Sequence, residues 1–477
     1  MRAGLKGILT ALTGMSVRAA NQVVVVIVTL VAAHFLPPAK FGVFAIAAAI
    51  ITLIRTLMYN GAFEYLLKAK PGEESPTECL IINFALVAGL TVLMLPLVPL
   101  SGHLFGSQDV GRILLALMPS NLISAFAAWQ ESQLLRAKRV RLYYGITAIA
   151  EVAAGVIAIA LLTLHMGLTA LIAQVYTRAV FMLVAYSFAQ KLAWSERLDR
   201  ERLIHVFRWA SARYGGTLVS FMSGYGADFF LGGFLSPAAS GLYRASSRVV
   251  TATSDMFSHP AQILSAAIFS KHASRSETPE EIWPRIFAAC SFMGWSALAG
   301  LAAVSNQIVP FALGPKWAAA GPIVAMICVA RGFSLVDSVT NPLLVAYNYA
   351  PKIFRIQLFV AAGSTVLIFA TARFGVIAVA TCTIVTSGTY TLAQLWLALR
   401  AFPRAMAGFR KTAALCFAPP LLTFLGARAG FLLAGQFAHV PPLAELVVGV
   451  TTGILFWAVA AFVLRKSAGD ALHALNS

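Results

Sequence analysis

The sequence predicts an all-α integral membrane protein with about fourteen transmembrane helices, arranged as two parallel six-helix repeats followed by two C-terminal helices. Its composition, the uneven placement of its basic residues and a repeated turn indicate this fold. Of the 477 residues, 59% are hydrophobic and only 11% are charged, whereas a soluble domain carries about 25% charged residues. This composition excludes a soluble globular enzyme. We also expect no nucleic-acid partner, because the basic residues behind the net charge of +18 lie in short runs between apolar stretches.

The apolar stretches are long enough to count individual spans. A helix needs about 20 mainly apolar residues to cross about 30 Å of hydrocarbon. The uncharged stretch between Arg18 and Lys40 is too long for the apolar core of a cleaved signal, so we interpret it as the first span. The predicted spans are approximately 15–36, 41–59, 79–100, 110–135, 142–164, 168–190, 207–235, 239–269, 284–311, 319–347, 352–374, 376–399, 411–435 and 442–464.

The basic residues in the loops and towards the ends of these spans indicate the orientation of the chain. If the amino terminus is cytoplasmic, the inner segments hold 25 Lys and Arg residues and the outer segments hold only Lys40, Arg112, Lys316, Arg373 and Arg428. Cytoplasmic loops of membrane proteins carry such an excess of positive charge. The sequence therefore predicts that both termini are cytoplasmic and that the number of spans is even.

A turn on the predicted outer side occurs twice. The segment 35–44 (FLPPAKFGVF) and the segment 234–243 (FLSPAASGLY) agree at five of ten positions, at a constant offset of 199 residues. The alternative is that Pro and Gly recur simply because they are common in turns. However, the offset spans six helices, which places both copies on the same side of the membrane. Parallel six-helix repeats are typical of transporters. The predicted organisation is an N-terminal six-helix lobe at 1–190, a cytoplasmic interlobe linker at 191–206, a C-terminal six-helix lobe at 207–400, and two further helices with a cytoplasmic tail at 401–477.

Several ionisable residues fall inside spans, where a charge costs roughly 2.5–3.5 kcal/mol. At 100° per residue, Arg244, Arg248, Asp255 and His259 fall within 60° of one another on span 8. Such a stripe indicates a hydrated cavity. The helices joined by the repeated turns add four more charged candidates to this cavity, Arg18, Arg55, Arg213 and Asp228.

A cationic cavity suits a phosphorylated ligand, because guanidinium groups grip phosphate oxygens bidentately and stay charged. The sequence also allows other roles. Arg18, Arg213 and Arg244 could extend to the membrane surface, and Arg248 and Asp255 could neutralise each other. Acids near such a cavity can bind a cation, so Asp228 and Asp255 are candidates for ion coupling.

Other charges in the spans are expected to be structural. Glu151 and Arg178 lie at similar depths on consecutive spans, which predicts an ion pair. Glu131 is expected to face the basic run 136–141. The sequence names no partner for Arg331 or Asp337.

The chain lacks the usual motifs of catalysis and metal binding. It contains no phosphate-binding loop, no H-E-x-x-H and no G-x-S-x-G. Its five cysteines are scattered singly through apolar segments, without C-x-x-C spacing. We therefore expect no enzyme activity, cofactor, metal site or disulfide.

These residues support a family resemblance. The repeated turn at 35–44, the pattern of Asp228 followed by 231–243, and the segment 313–317 (LGPKW) resemble the polysaccharide transporter family of the multidrug/oligosaccharidyl-lipid/polysaccharide exporter superfamily. The resemblance covers roughly residues 15–400. Pro37 and Lys40 depart from the commoner first-turn pattern, which leaves the subfamily open.

The resemblance implies a V-shaped pair of six-helix lobes in the bacterial inner membrane. Such proteins are flippases that move an undecaprenyl-diphosphate-linked oligosaccharide to the outer leaflet by alternating access. The implied partners are this lipid-linked oligosaccharide, membrane lipid, and a glycan polymerase and glycosyltransferases. By analogy, Arg55, Arg244 and Arg248 would meet the diphosphate, and the last two helices would guide the lipid tail.

Two alternative functions stay open. A multidrug exporter of the same superfamily would share the fold, although an arginine-rich lumen suits organic cations poorly. A membrane scaffold that recruits glycan-assembly enzymes through its basic loops would need no transport at all.

Overall fold

The described part of the protein consists of sixteen α-helices and two short 3-10 turns, without strands. The structure is a computed structural model that describes residues 2–69, 75–189, 198–436 and 441–464. The helices are α1 (Arg2–Phe35), α2 (Pro38–Tyr59), α3 (Ala62–Lys68), α4 (Pro76–Met94), α5 (Leu97–Phe105), α6 (Gln108–Arg136), α7 (Val140–Thr163), α8 (Leu168–Ala189), α9 (Arg200–Phe234), α10 (Pro237–Ser274), α11 (Ile282–Leu313), α12 (Ala320–Ala346), α13 (Ala350–Thr371), α14 (Val376–Ala401), α15 (Ala405–Ala434) and α16 (Pro442–Val463).

The predicted all-helical membrane fold is confirmed. Among the described residues, eleven helical segments are long and apolar enough to span a bilayer, with α2 and α3 counted together. α1 contributes a shorter apolar stretch, Ala20–Phe35. The two remaining long helices, α9 and α10, have 35 and 38 residues and carry more polar side chains. With these three, the segments number fourteen, as the sequence predicts.

The helices break at two places in the first unit, directly after the second predicted span and inside the third. The second span ends at Tyr59, and after Asn60 and Gly61 the chain forms the short helix α3, which hydropathy did not predict. The third predicted span, 79–100, is two helices separated at Leu95 and Pro96. A proline lacks the N–H that an uninterrupted helix would use at that position, which explains the second break.

The chain packs as two compact units, Met1–Arg244 and Ala245–Ser477. In the first unit, α2 lies at the centre and packs against α6 and α9. Its buried side chains Ile54 and Met58 join Val87 of α4 and Ala125 of α6 in one apolar cluster. These units describe packing, and the lobe boundaries drawn from the repeat stay a prediction.

The predicted interlobe linker, 191–206, is only partly described. Residues 191–197 lie outside the described residues, whereas 200–206 form the first turns of α9. Asp199 caps this helix, because its carboxylate accepts hydrogen bonds from the backbone N–H groups of Glu201 (2.9 Å) and Arg202 (3.3 Å).

The last two helices form part of the second unit. α15 packs against both α11 and α16. α15 and α16 approach closely through small residues: a Cβ atom added to Gly430 would meet the side chain of Thr452, and one added to Gly453 would lie 3.2 Å from the carbonyl oxygen of Thr423. Small residues allow membrane helices to pack at such short separations.

Candidate functional site

The two copies of the repeated turn meet each other in the first unit. A Cβ atom built on Gly42 would overlap the carbonyl oxygen of Pro237, and one built on Gly241 would overlap the carbonyl oxygen of Pro38. In each case the backbone nitrogen of the opposite glycine lies 2.9 Å from the added atom. Pro38 and Pro237 are 199 residues apart, as are the two glycines. The contact is therefore reciprocal: the glycine of each copy meets the proline of the other copy. Only glycine permits this approach of the N-terminal turns of α2 and α10.

Two of the predicted site residues, Asp228 and Arg244, form a buried ion pair. The Arg244 Nε atom donates to Asp228 Oδ1 at 3.0 Å, and a terminal guanidinium nitrogen contacts Oδ2. The Asp228 side chain is fully buried, and that of Arg244 is 14% exposed. The guanidinium also lies over the Tyr225 ring, 4.3 Å from its centre. The two charges therefore neutralise each other, and either can serve a ligand only after the pair separates.

The local fold explains why these two residues meet. Asp228 lies six residues before the end of α9, and Arg244 lies seven residues after the start of α10. A short turn joins the two helices, so residues at equal distances from it lie at similar depths. This nearly equal spacing is the sequence signal that could have predicted the pair.

Arg55, in contrast, has neutral partners. Its Nε donates to Asn121 Oδ1 and a terminal nitrogen donates to Ser120 Oγ, both at 3.0 Å and both on α6. None of the described carboxylates forms an ion pair with it. Arg55 is therefore a partly buried positive charge inside a transmembrane helix that a bound anion could neutralise.

Arg213 has a different environment near the start of α9. Its guanidinium contacts Glu64 of α3 at 2.8 Å and lies 4.9 Å from the centre of the Trp209 ring. Its side chain is 41% exposed. Since Glu64 also pairs with Lys68, this cluster is a surface network that ties α3 to α9. The side chain of Arg18 lies outside the described part of the structure.

The remaining predicted residues lie on α10 in the second unit. Arg248, Asp255 and His259 are all partly buried on this one helix. His259 Nε2 lies 3.8 Å from Asp255 Oδ2. Their spacing keeps the predicted stripe on one helix face. Of all the predicted site residues, the structure thus brings together Asp228 with Arg244 and Asp255 with His259, and it gives Arg55 and Arg213 separate partners.

The structure tests the two structural interpretations of buried acids in the first unit. Arg178 Nε lies 3.2 Å from Glu151 Oε2, which confirms the predicted ion pair. Glu131, however, is buried and accepts a hydrogen bond from the Tyr59 hydroxyl at 2.9 Å. The expectation that it faces the basic run 136–141 was wrong. Hydropathy does not show which face of a helix packs against its neighbours, and Glu131 lies on a buried face.

An apolar cavity of about 380 Å³ lies in the second unit, where α11 faces α15 and α16. The side chains around it include Phe257, Met293, Val304, Ile308 and Trp457. Gly300 and Gly453 widen it because they place no side chain there. The cavity offers a hydrocarbon chain an apolar surface with few polar groups.

Comparisons with solved structures agree with this architecture. The chain is similar to "Lipid II flippase MurJ, inward closed conformation", with a TM-score of 0.76 and 14% identity over 96% of this chain and 99% of that one. It is also similar to an inward-facing multidrug resistance MATE family transporter of the MOP superfamily, with a TM-score of 0.53 and 14% identity over 84% of this chain and 95% of that one. At this identity the likeness establishes the fold. No curated protein sequence matches the chain.

The sequence also matches a family model. Residues 31–322, more than half of the chain, match the model described as "Polysaccharide biosynthesis protein". The match includes both copies of the repeated turn and the Asp228–Arg244 pair. The chain therefore belongs to the polysaccharide biosynthesis protein family and has the fold of the MOP superfamily transporters.

Proposed function

We propose that this protein is a flippase that moves an undecaprenyl-diphosphate-linked oligosaccharide from the inner to the outer leaflet of the bacterial inner membrane by alternating access. Family membership supports a role in polysaccharide biosynthesis, and the fold supports transport across a membrane. In this proposal the protein catalyses no reaction. Its partners are the lipid-linked glycan, membrane lipid, and the polymerase and glycosyltransferases that act on the same glycan.

The neutral partners of Arg55 are the observation that supports a diphosphate headgroup. A guanidinium held by neutral side chains keeps its positive charge for a ligand, and diphosphate offers several oxygens for bidentate hydrogen bonds. Arg248 is a second contact in the proposal. Arg244 joins them only when it leaves Asp228, and Arg18 and Arg213 attract the headgroup from the cytoplasmic side.

The apolar cavity supports a place for the lipid tail. A polyisoprenoid chain cannot follow its headgroup through a polar route without large cost, because each exposed CH₂ costs about 0.8 kcal/mol in water. The cavity beside α15 and α16 gives the chain an apolar path in the second unit. Guidance of the tail by these last two helices is therefore part of the proposal.

The reciprocal glycine contact supports a state of the transporter that is closed towards the outer side of the membrane. Gly42 and Gly241 hold the two turns together through backbone contacts that no side chain separates. For release to the outer leaflet, the two turns must move apart. Alternating access thus requires that this contact form and break in each cycle.

Cells that lack the protein test the function directly. We expect them to accumulate a lipid-linked glycan in the inner leaflet, and we expect the wild-type protein to restore export. Arg55→Gln should restore it at least about tenfold less well, since a charged hydrogen bond contributes about 1.5–3 kcal/mol. Arg112→Gln is the matched control, because Arg112 is 75% exposed on the predicted outer surface. Full export with Arg55→Gln would refute the headgroup assignment, and efflux of cationic dyes without glycan export would favour a multidrug exporter.

A further inference from the structure

A polar cavity of about 670 Å³ lies in the second unit, around the loop 275–281 between α10 and α11 and the first turns of α11 and α15. Its volume is in the range of ligand pockets in proteins, about 300–1,000 Å³. It is separate from the apolar cavity assigned to the lipid tail, because the two share no lining residue. Its ionisable lining residues are three basic side chains, three acidic side chains and one histidine: Arg285, Arg404, Lys411, Glu277, Glu280, Glu281 and His272.

Contacts between the loop, α11 and α15 hold the walls of this cavity together. Glu280 Oε1 accepts a hydrogen bond from the backbone N–H of Arg404 at 3.2 Å, directly before the start of α15. A Cβ atom added to Gly408 would lie 2.7 Å from Pro284 Cγ, so α15 packs closely against α11 beside the cavity. The cavity is therefore built into the packing of the second unit.

Two basic groups of the cavity have no acidic partner. Arg404 and Lys411 are seven residues apart at the start of α15, which is about two helical turns and places them on the same side of the helix. Both are exposed, and none of the described acids forms an ion pair with either. Guanidinium and ammonium groups form strong hydrogen bonds with phosphate oxygens. This side of the cavity therefore suits a phosphate group.

The loop supplies the acidic groups. The Glu281 side chain is 87% exposed, and its Oε2 lies 4.0 Å from the nearest guanidinium nitrogen of Arg285. Glu277 Oε2 lies 3.5 Å from His272 Nε2. Each ionised carboxylate can accept several hydrogen bonds, so both acids have capacity for a donor on a ligand.

The balance of charge in the lining favours a zwitterion. A ligand with several negative charges, such as a nucleotide or a diphosphate, would face the repulsion of three carboxylates. A ligand with several positive charges would face the three basic groups. A ligand that carries one group of each sign can place each beside its opposite charge.

The lining also discriminates between kinds of ammonium group. A quaternary ammonium such as choline has no N–H to donate, and proteins bind it with aromatic rings. None of the described residues that line this cavity is aromatic. A primary ammonium, in contrast, has three N–H donors, which suit the carboxylates of Glu277 and Glu281. The lining therefore favours a primary ammonium over choline.

The cavity lies where the headgroups of membrane lipids are expected. α11 and α15 have 32 and 30 residues, so at 1.5 Å per residue they are about 48 and 45 Å long. The hydrocarbon layer of a bilayer is only about 30 Å thick. The ends of both helices therefore extend into the headgroup layers, and their charged first turns surround the cavity.

We propose that this cavity binds the headgroup of a phospholipid that carries both a phosphate and a primary ammonium, as phosphatidylethanolamine does. Arg404 and Lys411 bind the phosphate, and Glu277 and Glu281 accept hydrogen bonds from the ammonium. The bound headgroup links the loop 275–281 to α15. The inference does not depend on the proposed function, because this lipid is a resident ligand and not the transported substrate.

Native mass spectrometry of the purified full-length protein in detergent tests the site. The protein is titrated with phosphatidylethanolamine, phosphatidylcholine or phosphatidylglycerol, and the fraction with bound lipid gives an apparent Kd for each. Phosphatidylethanolamine should bind severalfold more tightly than the other two, since phosphatidylcholine lacks the N–H donors and phosphatidylglycerol lacks the ammonium. Equal affinity for the three lipids would overturn the proposal.

Two neighbouring residues of α15 give a matched comparison. Lys411→Gln removes a phosphate partner, whereas Arg410→Gln removes a charge from an exposed residue that does not line the cavity. Lys411→Gln should raise the apparent Kd for phosphatidylethanolamine severalfold, and Arg410→Gln should leave it unchanged. The same result for both variants would mean that the lipid does not bind in this cavity.

Glu281→Gln tests the ammonium side at a residue that is too exposed to affect folding. It should weaken the binding of phosphatidylethanolamine severalfold without weakening that of phosphatidylglycerol. An unchanged affinity for phosphatidylethanolamine, or an equal loss for both lipids, contradicts the assignment. Glycerophosphoethanolamine, the same headgroup without acyl chains, should compete only weakly. Competition as strong as that of the whole lipid would identify the ligand as a soluble zwitterion and overturn the lipid assignment.

Discussion

At the level of single residues, the pair of Asp228 and Arg244 shows how a buried ion pair can neutralise a charge that a ligand would otherwise contact. Both residues lie in transmembrane helices, and the carboxylate is fully buried. If only one partner is removed, the other remains buried without its opposite charge. Such losses cost about 3–5 kcal/mol.

The first prediction follows from this pair. Asp228→Asn should lower the free energy of unfolding by about 3 kcal/mol or more, and the double variant Asp228→Asn with Arg244→Gln should recover part of that loss. Reversible unfolding in detergent micelles measures both. Asp109→Asn, at an exposed pair with Arg112, should change stability by less than about 1 kcal/mol. A double variant no more stable than Asp228→Asn alone would contradict the assignment of a mutually neutralising pair.

Single-residue roles were only partly predictable from the sequence. Matching depth on consecutive spans was enough to pair Glu151 with Arg178. The same argument could have paired Asp228 with Arg244, but both had been placed on cavity faces by helical periodicity. Asp337 had no predicted partner because its neighbour Thr391 is neutral and lies 54 residues away in sequence, and a threonine in an apolar span carries no distinctive signal.

At the level of helices, the reciprocal contact of Gly42 and Gly241 governs how α2 and α10 begin. A methyl group at either position would overlap the opposite backbone. Backbone atoms cannot turn aside as a flexible side chain can. The two turns must therefore separate to accept any larger residue.

The second prediction compares three glycines. Gly42→Ala and Gly241→Ala should each destabilise the protein by about 1–3 kcal/mol through overpacking. Gly89→Ala is the matched control, because Gly89 lies inside α4 with open space around its Cα atom, and alanine should be neutral or stabilising there. Thermal unfolding of the three variants checks this order. Equal stability of Gly42→Ala and Gly89→Ala would argue against the close contact.

The third prediction concerns the apolar cavity. Ala297 lines it on α11, so Ala297→Phe should fill part of the space that we assign to the lipid tail. We expect flipping of a long-chain polyisoprenoid substrate to fall severalfold, and flipping of a short-chain analogue to change less. The ratio of the two rates in proteoliposomes is the measurement. Equal losses of flipping rate for both chain lengths would contradict the assignment of the cavity to the lipid tail.

Helix positions were highly predictable because apolar length is a strong signal. The last span was predicted at 442–464 and is observed at Pro442–Val463. The break between α4 and α5 was harder to predict. The sequence around Leu95 and Pro96 is apolar on both sides, so hydropathy does not indicate where a helix ends within it. The short helix α3 follows the Asn60–Gly61 turn, and its charged residues Glu64 and Lys68 kept it outside the predicted spans.

At the level of the whole molecule, directional transport requires a defined orientation in the membrane. The excess of basic residues on one side predicts that the loop between α6 and α7, with Lys138, is cytoplasmic, and that Arg112 lies outside. Lys138 and Arg112 are both exposed. Four of the five cysteines are buried, and Cys290 is half-buried.

The fourth prediction uses these positions. In a variant with Cys290→Ser, a membrane-impermeant thiol reagent should label Arg112→Cys in spheroplasts and should leave Lys138→Cys unlabelled until the membrane is opened. Lysed membranes serve as the control for reactivity at both sites. Labelling of Lys138→Cys in sealed spheroplasts would reverse the predicted topology.

As a whole, the molecule is proposed to carry a lipid-diphosphate-linked glycan between leaflets. The most direct test of this transport is a leaflet-access assay of a fluorescent lipid-linked oligosaccharide in proteoliposomes that contain only this protein. We expect the wild type to make essentially all of the labelled lipid accessible to an external quencher, and Arg55→Gln to slow this at least about tenfold. Labelled lipid that stays half protected, as in protein-free liposomes, would contradict a flippase function.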